Sequence, residues 1–175
     1  KSAIVTGASK GIGANIAFAL ASAGANITVV GRSSESLEEV SDNCRRAGAE
    51  VHQVICNLED LAEVRRTFEE LGKKACDILI NNAGIIHRSP ATEVEIADWE
   101  RIISVNLQAV FYICQAIGRP MVAKGSGRII NIASLLSFQG GINVAPYTVS
   151  KNGVVGLTRA LANEWGPLGV NVNAI

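Results

Sequence analysis

The sequence predicts an α/β fold, a doubly wound parallel sheet with helices on both faces, and three observations carry that prediction. Short strand-like runs alternate with helical segments along the whole chain, the order produced by successive strand–helix–strand crossovers. The runs themselves, such as Ala3-Ile4-Val5, Ile78-Leu79-Ile80 and Ile129-Ile130, are continuously apolar, as strands buried on both faces must be. The first run passes directly into a glycine turn and then a helical pattern. At 175 residues the chain is long enough for one domain with a sizeable core.

Composition narrows the function classes. Lys plus Arg and Asp plus Glu both number 16, so the overall balance does not point to a nucleic acid or an anionic membrane as partner. Apolar runs are short and broken by Gly, Asn or charge, so neither a membrane-spanning helix nor a signal-peptide core is expected. Cys44, Cys56, Cys76 and Cys114 form no Cys-x-x-Cys pair and have no His partners at zinc spacing. The expectation is four reduced, buried thiols, no metal, and a cytoplasmic location. Lys1 is not a methionine and both ends read as strand, which suggests a piece of a longer protein.

In chain order, Ala3 to Val5 is the first strand, followed by Thr6-Gly7-Ala8-Ser9-Lys10-Gly11-Ile12-Gly13 and a helix through Ile16, Leu20 and Ala23. Glycines permit a sharp turn and close approach to a phosphate, and the helix start beyond them offers free N–H groups. The spacing, Gly-x-x-x-Gly-x-Gly, differs from the Gly-x-Gly-x-x-Gly dinucleotide fingerprint. Ala25 to Val30 is the second strand. In dinucleotide folds an acid near its end binds the ribose of NAD, whereas an Arg accommodates the 2′-phosphate of NADP. Here no acid is present; Arg32, Ser33 and Lys10 form a candidate positive pocket, with an ordinary solvated charge as the alternative for Arg32.

Leu37, Val40, Cys44 and Ala47 mark an amphipathic helix, Val51 to Cys56 the third strand, and Leu61, Val64, Phe68 and Leu71 the next helix. Asp77 to Ile80 is the fourth strand, ending in Asn81-Asn82-Ala83-Gly84, a turn suited to a ligand or simply to turning. One helix is predicted from about Ile96 to Lys124, with Trp99, Ile103, Val110, Ile113 and Ile117 inward. Asn106 interrupts that stripe, and a buried amide must find backbone or water partners. Arg128 to Ile132 is the fifth strand, with Ser134 beyond its carboxyl end, and Asn171 to Ile175 is the sixth. Between them a helix runs from Pro146 to Trp165, in which Gly153 and Gly156 suggest close backbone packing.

That last helix carries Pro146-Tyr147-Thr148-Val149-Ser150-Lys151. Residues four apart share a helix face, so Tyr147 and Lys151 reach one small volume. A phenol ordinarily titrates near pH ~10, and a nearby positive charge favours the phenolate, so the pair is a candidate proton donor and acceptor. In doubly wound sheets, ligands bind outside the carboxyl ends of the strands. The glycine turn, Asn81 to Gly84 and Ser134 all fall there, and Tyr147 and Lys151 overhang the same crevice.

Taken together, Thr6-Gly7-x-x-x-Gly11-Ile12-Gly13, Asn81 to Gly84, Asn106, Ser134 and Tyr147-x-x-x-Lys151 resemble, in order and spacing, the classical short-chain dehydrogenase/reductase family. The resemblance covers the whole chain. It implies a Rossmann sheet of order 3-2-1-4-5-6 and an NAD(P)-dependent enzyme interconverting a secondary alcohol and a ketone, with NADP expected and NAD possible. By resemblance, Tyr147 is the general acid/base and Lys151 its partner at the nicotinamide ribose. Ser134 holds the substrate oxygen, and Asn106 anchors a water relay. The cofactor is implied to lie along Gly7, Ser9, Lys10, Gly11, Ile12, Gly13, Arg32, Ser33, Asn57, Leu58, Asn82, Ala83 and Gly84, with Tyr147 and Lys151.

Within the family, Ile85 to Arg88, Ser134 to Gly141 and Ala162 to Trp165 are similar to gluconate and 2-keto-3-deoxygluconate dehydrogenases. That places Arg88 opposite a substrate carboxylate and His87 or Gln139 opposite hydroxyls, with loop packing as the alternative. Asn57 departs from the Asp of many members. The chain also stops before the family's lid helices and last strand, which implies weak or no turnover for this piece alone. The resemblance further implies a homodimer or homotetramer. A catalytically silent NAD(P)-binding regulator or interaction protein is the competing function.

Overall fold

The computed structural model describes all 175 residues. Strand β1 (Ser2–Thr6) is followed by helix α1 (Gly11–Ser22), β2 (Asn26–Gly31), α2 (Ser34–Arg46), β3 (Val51–Ile55), α3 (Leu61–Gly72) and β4 (Ile78–Asn81). The second half contains α4 (Ile96–Ile103), a π-helical turn (Ser104–Gln108), α5 (Ala109–Lys124), β5 (Gly127–Asn131), α6 (Ala145–Trp165) and β6 (Val170–Ala174). The six strands form one sheet in the order β3-β2-β1-β4-β5-β6, every neighbouring pair parallel. This is the doubly wound order implied above.

Because successive strand side chains point to opposite faces, each strand feeds two cores. On one face Ala3, Val5, Ile27, Val29 and Ile80 pack with Ala17 and Ala21 of α1 and with Leu37, Val40 and Cys44 of α2. On the other, Ile4, Val30, Leu79, Ile129 and Val172 pack under Val64 and Phe68 of α3, Ile113 and Ile117 of α5, and Leu161 of α6. Capping follows the local sequence: Ser33 accepts from Ser36 N at the start of α2, and Asp60 accepts from Ala62 N and Glu63 N at the start of α3. All four cysteines are free and buried.

Four expectations need correction. The segment from Ile96 to Lys124 is not one regular helix, because the π-turn at Ser104–Gln108 interrupts it. As a continuous 29-residue unit it also has the length and composition to cross a membrane, which the broken apolar runs had argued against. Half of its most apolar window is buried in this fold, and α5 supplies the core beneath α3. Trp99, placed inward by periodicity, is instead 41% exposed. In α6, Gly153 faces the Leu107 side chain rather than a backbone, and no atom lies within 4 Å of a Cβ built at Gly156.

Candidate active site and cofactor cleft

The glycine turn owes its shape to the neighbouring strand. Thr6 is buried at the end of β1, and its Oγ1 accepts from Asn82 N and Ala83 N at 3.1 Å each while donating to Ile80 O at 3.4 Å. Asn82 Nδ2 in turn donates to Thr6 O and Gly7 O, both at 3.0 Å. Gly7 has φ +62°, and a Cβ there would lie 2.8 Å from Ala83 Cα. At Gly13 a Cβ would come within 2.3 Å of Gly7 O. Gly13 thus supports the turn from behind rather than lining the cleft in front of it.

That cleft has a volume of about 740 Å³, well within the range of a small-molecule site. It is lined by Gly7, Ser9, Lys10, Ile12, Arg32, Ser33, Asn57, Leu58, Asn82, Ala83 and Gly84, all expected from the sequence. Of the expected cofactor residues, Gly11, Gly13, Tyr147 and Lys151 do not line it: the first sits exposed at the helix start, the second is buried beneath the loop, and Lys151 with Tyr147 adjoins its Gly84 end. Val30, Gly31, Ser36, Cys56, Glu59, Ile85 and Val105 complete the walls. None of these stood out in sequence as a cofactor residue, and Val105 reaches the cleft only from the π-turn. Asn57 Oδ1 accepts from Glu59 N at 3.2 Å, so that oxygen is committed to the local turn.

A dinucleotide fits this chemistry. Helix α1 has no side-chain cap at Lys10, so its first N–H groups remain available to a phosphate. Gly7 and Gly13 let the turn pack tightly on Ala83 and Asn82, and Lys10 and Arg32 supply positive charge at the rim.

The candidate chemistry adjoins the Gly84 end of the cleft, where a Cβ on Gly84 would lie 3.6 Å from Lys151 Nζ and 3.4 Å from Asn106 Oδ1. Lys151 is only 4% exposed; its Nζ donates to Ile132 O at 2.6 Å and lies 5.7 Å from the Tyr147 ring centroid. Burial pulls its pKa down to about 8. Asn106 is fully buried in the π-turn, where its Oδ1 accepts from Ile85 N at 2.8 Å and its Nδ2 donates to Ile85 O at 2.9 Å and Ser150 Oγ at 3.1 Å. The amide is thus paired entirely with protein atoms, joining the loop after β4 to α6.

Ser134 Oγ accepts from Leu136 N at 3.2 Å, which leaves its hydroxyl hydrogen free to donate. The turn that carries it is tied to α6 by Ser137 Oγ donating to Lys151 O at 3.0 Å and Asn152 Nδ2 donating to Leu136 O at 2.8 Å. Neither Ser137 nor Asn152 stood out in sequence, since each matters only through a distant partner.

For the substrate candidates the result is mixed. Ser89 N donates to Asn143 O at 2.9 Å, joining the loop after His87 and Arg88 to the loop after Gln139. Arg88 and Gln139 are exposed, while His87 Nε2 lies 3.4 Å from Asp98 Oδ2 of α4.

The model of the short chain dehydrogenase family matches residues 1–175. A 2-dehydro-3-deoxy-D-gluconate 5-dehydrogenase of Bacillus subtilis is 45% identical, the match covering 100% of this chain and 69% of that protein. A provisionally assigned NAD(P)-dependent gluconate 5-dehydrogenase of Beutenbergia cavernae, solved with NADP at low occupancy, is 48% identical over 99% of this chain and 70% of its own, with a TM-score of 0.96. A gluconate 5-dehydrogenase of Burkholderia cenocepacia, solved with NADP and tartrate, is 36% identical over 99% and 69%, with a TM-score of 0.92. With the strand order, the glycine turn and the Tyr147 and Lys151 pair already in place, these matches show that the chain belongs to the short-chain dehydrogenase family.

Proposed function

We propose that this protein is an NADP-dependent dehydrogenase that interconverts a secondary alcohol and a ketone on a sugar acid such as gluconate or 2-keto-3-deoxygluconate. The observation that carries the reading is the buried Lys151 ammonium, held by Ile132 O beside the Tyr147 ring at the Gly84 end of the cleft. NADP, when bound, supplies or accepts the hydride. The protein has to orient the substrate and move one proton. In the reducing direction Tyr147 donates its hydroxyl proton to the substrate oxygen as the carbonyl carbon gains hydride. Ser134 donates its free hydroxyl hydrogen to the same oxygen. Lys151, its pKa pulled down to about 8 by burial, places its ammonium beside Tyr147, where positive charge favours the phenolate that forms when Tyr147 gives up its proton. Asn106 holds the Ile85 backbone against α6 and keeps these groups in register.

The sugar-acid reading draws on the relatives and on Arg88, an exposed cation beside the site loops, opposite which a carboxylate can lie. Gln139 and His87 are the candidate hydroxyl partners. Residues 1–175 are read as one NAD(P)-binding domain. The free, buried thiols support a reducing, cytoplasmic setting. The exposed Trp99, Phe111 and Val149 on α4, α5 and α6 support a homodimer or homotetramer, which light scattering would test.

The decisive experiment is oxidation of a panel of sugar acids and simple alcohols by the full-length protein with NADP and with NAD, using Tyr147→Phe as the control. Turnover should fall at least about 100-fold in the variant with cofactor affinity retained. Tight cofactor binding with no turnover of any substrate would overturn the reading in favour of a binding protein.

A further inference from the structure

The cleft contains a carboxylate, Glu59, where a bound phosphate needs positive charge. Strands β2 and β3 are neighbours, with Gly31 in register with Ile55 and Cys56 N donating to Gly31 O at 2.9 Å. Their exits therefore bring Arg32 and the Asn57 to Glu59 turn to the same end of the cleft. An unrestrained Glu59 would be the natural partner of Arg32.

The structure pairs it elsewhere. Glu59 Oε1 accepts from Arg101 Nη2 at 2.8 Å, with side-chain exposures of 34% and 51%. Arg101 belongs to α4, none of whose residues lines the cleft. The Arg32 guanidinium makes no hydrogen bond or ion pair of its own. The Glu59 carboxyl sits below the usual carboxylate range, held there first by the hydrogen bond from Arg101 and also by the charge of Arg32, so the two cations compete for one anion.

We propose that Arg101 is a positioning residue for cofactor choice: by holding Glu59 it keeps that carboxylate away from Arg32 and leaves Arg32 free for the 2′-phosphate. The inference rests on the NADP reading above. Without Arg101, Glu59 can pair with Arg32 or repel the incoming phosphate, and both effects penalise a 2′-phosphorylated nucleotide while sparing one that lacks it.

The test is calorimetric and needs no turnover. Dissociation constants are measured for adenosine 2′,5′-bisphosphate and for 5′-AMP with the unaltered protein, Arg101→Ala, Glu59→Gln and the double variant. Arg101→Ala should weaken the bisphosphate about fivefold, the size of one exposed ion pair, with 5′-AMP nearly unchanged. The double variant should recover bisphosphate affinity, because the carboxylate that Arg101 restrained is then gone. A double variant as weak as Arg101→Ala would overturn the proposal, since Arg101 would then act on the phosphate directly. Equal overturning force lies in an unchanged preference in Arg101→Ala. If the unaltered protein binds neither nucleotide, the cofactor reading itself fails and takes this inference with it.

Discussion

Lys151 holds a charge that burial disfavours and a single carbonyl relieves. Its pKa is pulled to about 8, below that of an exposed lysine, so the folded protein binds this proton less tightly than the unfolded chain does. The resulting cost is fully present below pH 8 and is relieved as pH rises from about 8 toward 10.5. Compared with Lys151→Met, the unaltered protein should therefore gain stability across that window, by up to roughly 3 kcal/mol. Urea unfolding of both forms without cofactor, at a series of pH values, checks this, and a stability difference independent of pH would contradict it. The Tyr147 and Lys151 pairing was legible in sequence because a spacing of four fixes a shared helix face. The Ile132 carbonyl beneath Lys151 was not, since it lies 19 residues away and a backbone oxygen leaves no mark in composition.

At the scale of elements, the break between α4 and α5 decides how the site is held. Periodicity predicted one helix, and Asn106 was its visible irregularity. A single amide pairs with both the N–H and the C=O of Ile85 from within the π-turn, a substitute for strand pairing that the loop after β4 otherwise lacks. Asn106→Ala removes three hydrogen bonds and leaves the Ile85 groups without those partners. It should destabilise the protein by about 2–4 kcal/mol, read as a lower urea midpoint, with turnover falling as Gly84 and Lys151 lose their register. An unchanged midpoint would mean that water replaces the amide at no cost. The π-turn itself was not legible, because a shift from four-residue to five-residue bonding changes neither the residue types nor the average hydrophobic period enough to be read.

For the whole molecule, the order β3-β2-β1-β4-β5-β6 places the β1, β4 and β5 carboxyl ends side by side, so Gly7 and Gly84 line one cleft and Ser134 follows the neighbouring strand end. At the opposite edge Asp77 joins three segments: it accepts from Ser2 N at 3.0 Å and from Lys124 Nζ at 2.6 Å, and lies 3.7 Å from Lys1 Nζ. The Lys124 hydrogen bond first, and the Ser2 amide next, pull its pKa down to about 2. A lowered carboxyl pKa stabilises the fold above the ordinary value of 3.8, and that contribution is lost as pH falls toward about 2. Asp77→Asn should lower stability at pH 7 and flatten its decline between pH 4 and pH 2, measured by thermal unfolding in low salt. Parallel slopes in the two proteins would show that the bridge is worth nothing.

By itself the sequence determined the fold class, the place of every strand to within about two residues, the glycine turn, the Asn81 to Gly84 turn and the Tyr147 and Lys151 pair. These are consequences of local periodicity and short-range spacing, which the chain carries regardless of its surroundings. Only the tertiary structure decided that Asn82 clamps the turn, that Gly13 stands behind the cleft, that Trp99 faces outward and that Arg101 draws Glu59 away from Arg32. The Asn82 clamp and the Arg101 pairing join residues dozens of positions apart, and such contacts between distant segments exist only once the sheet has set their order.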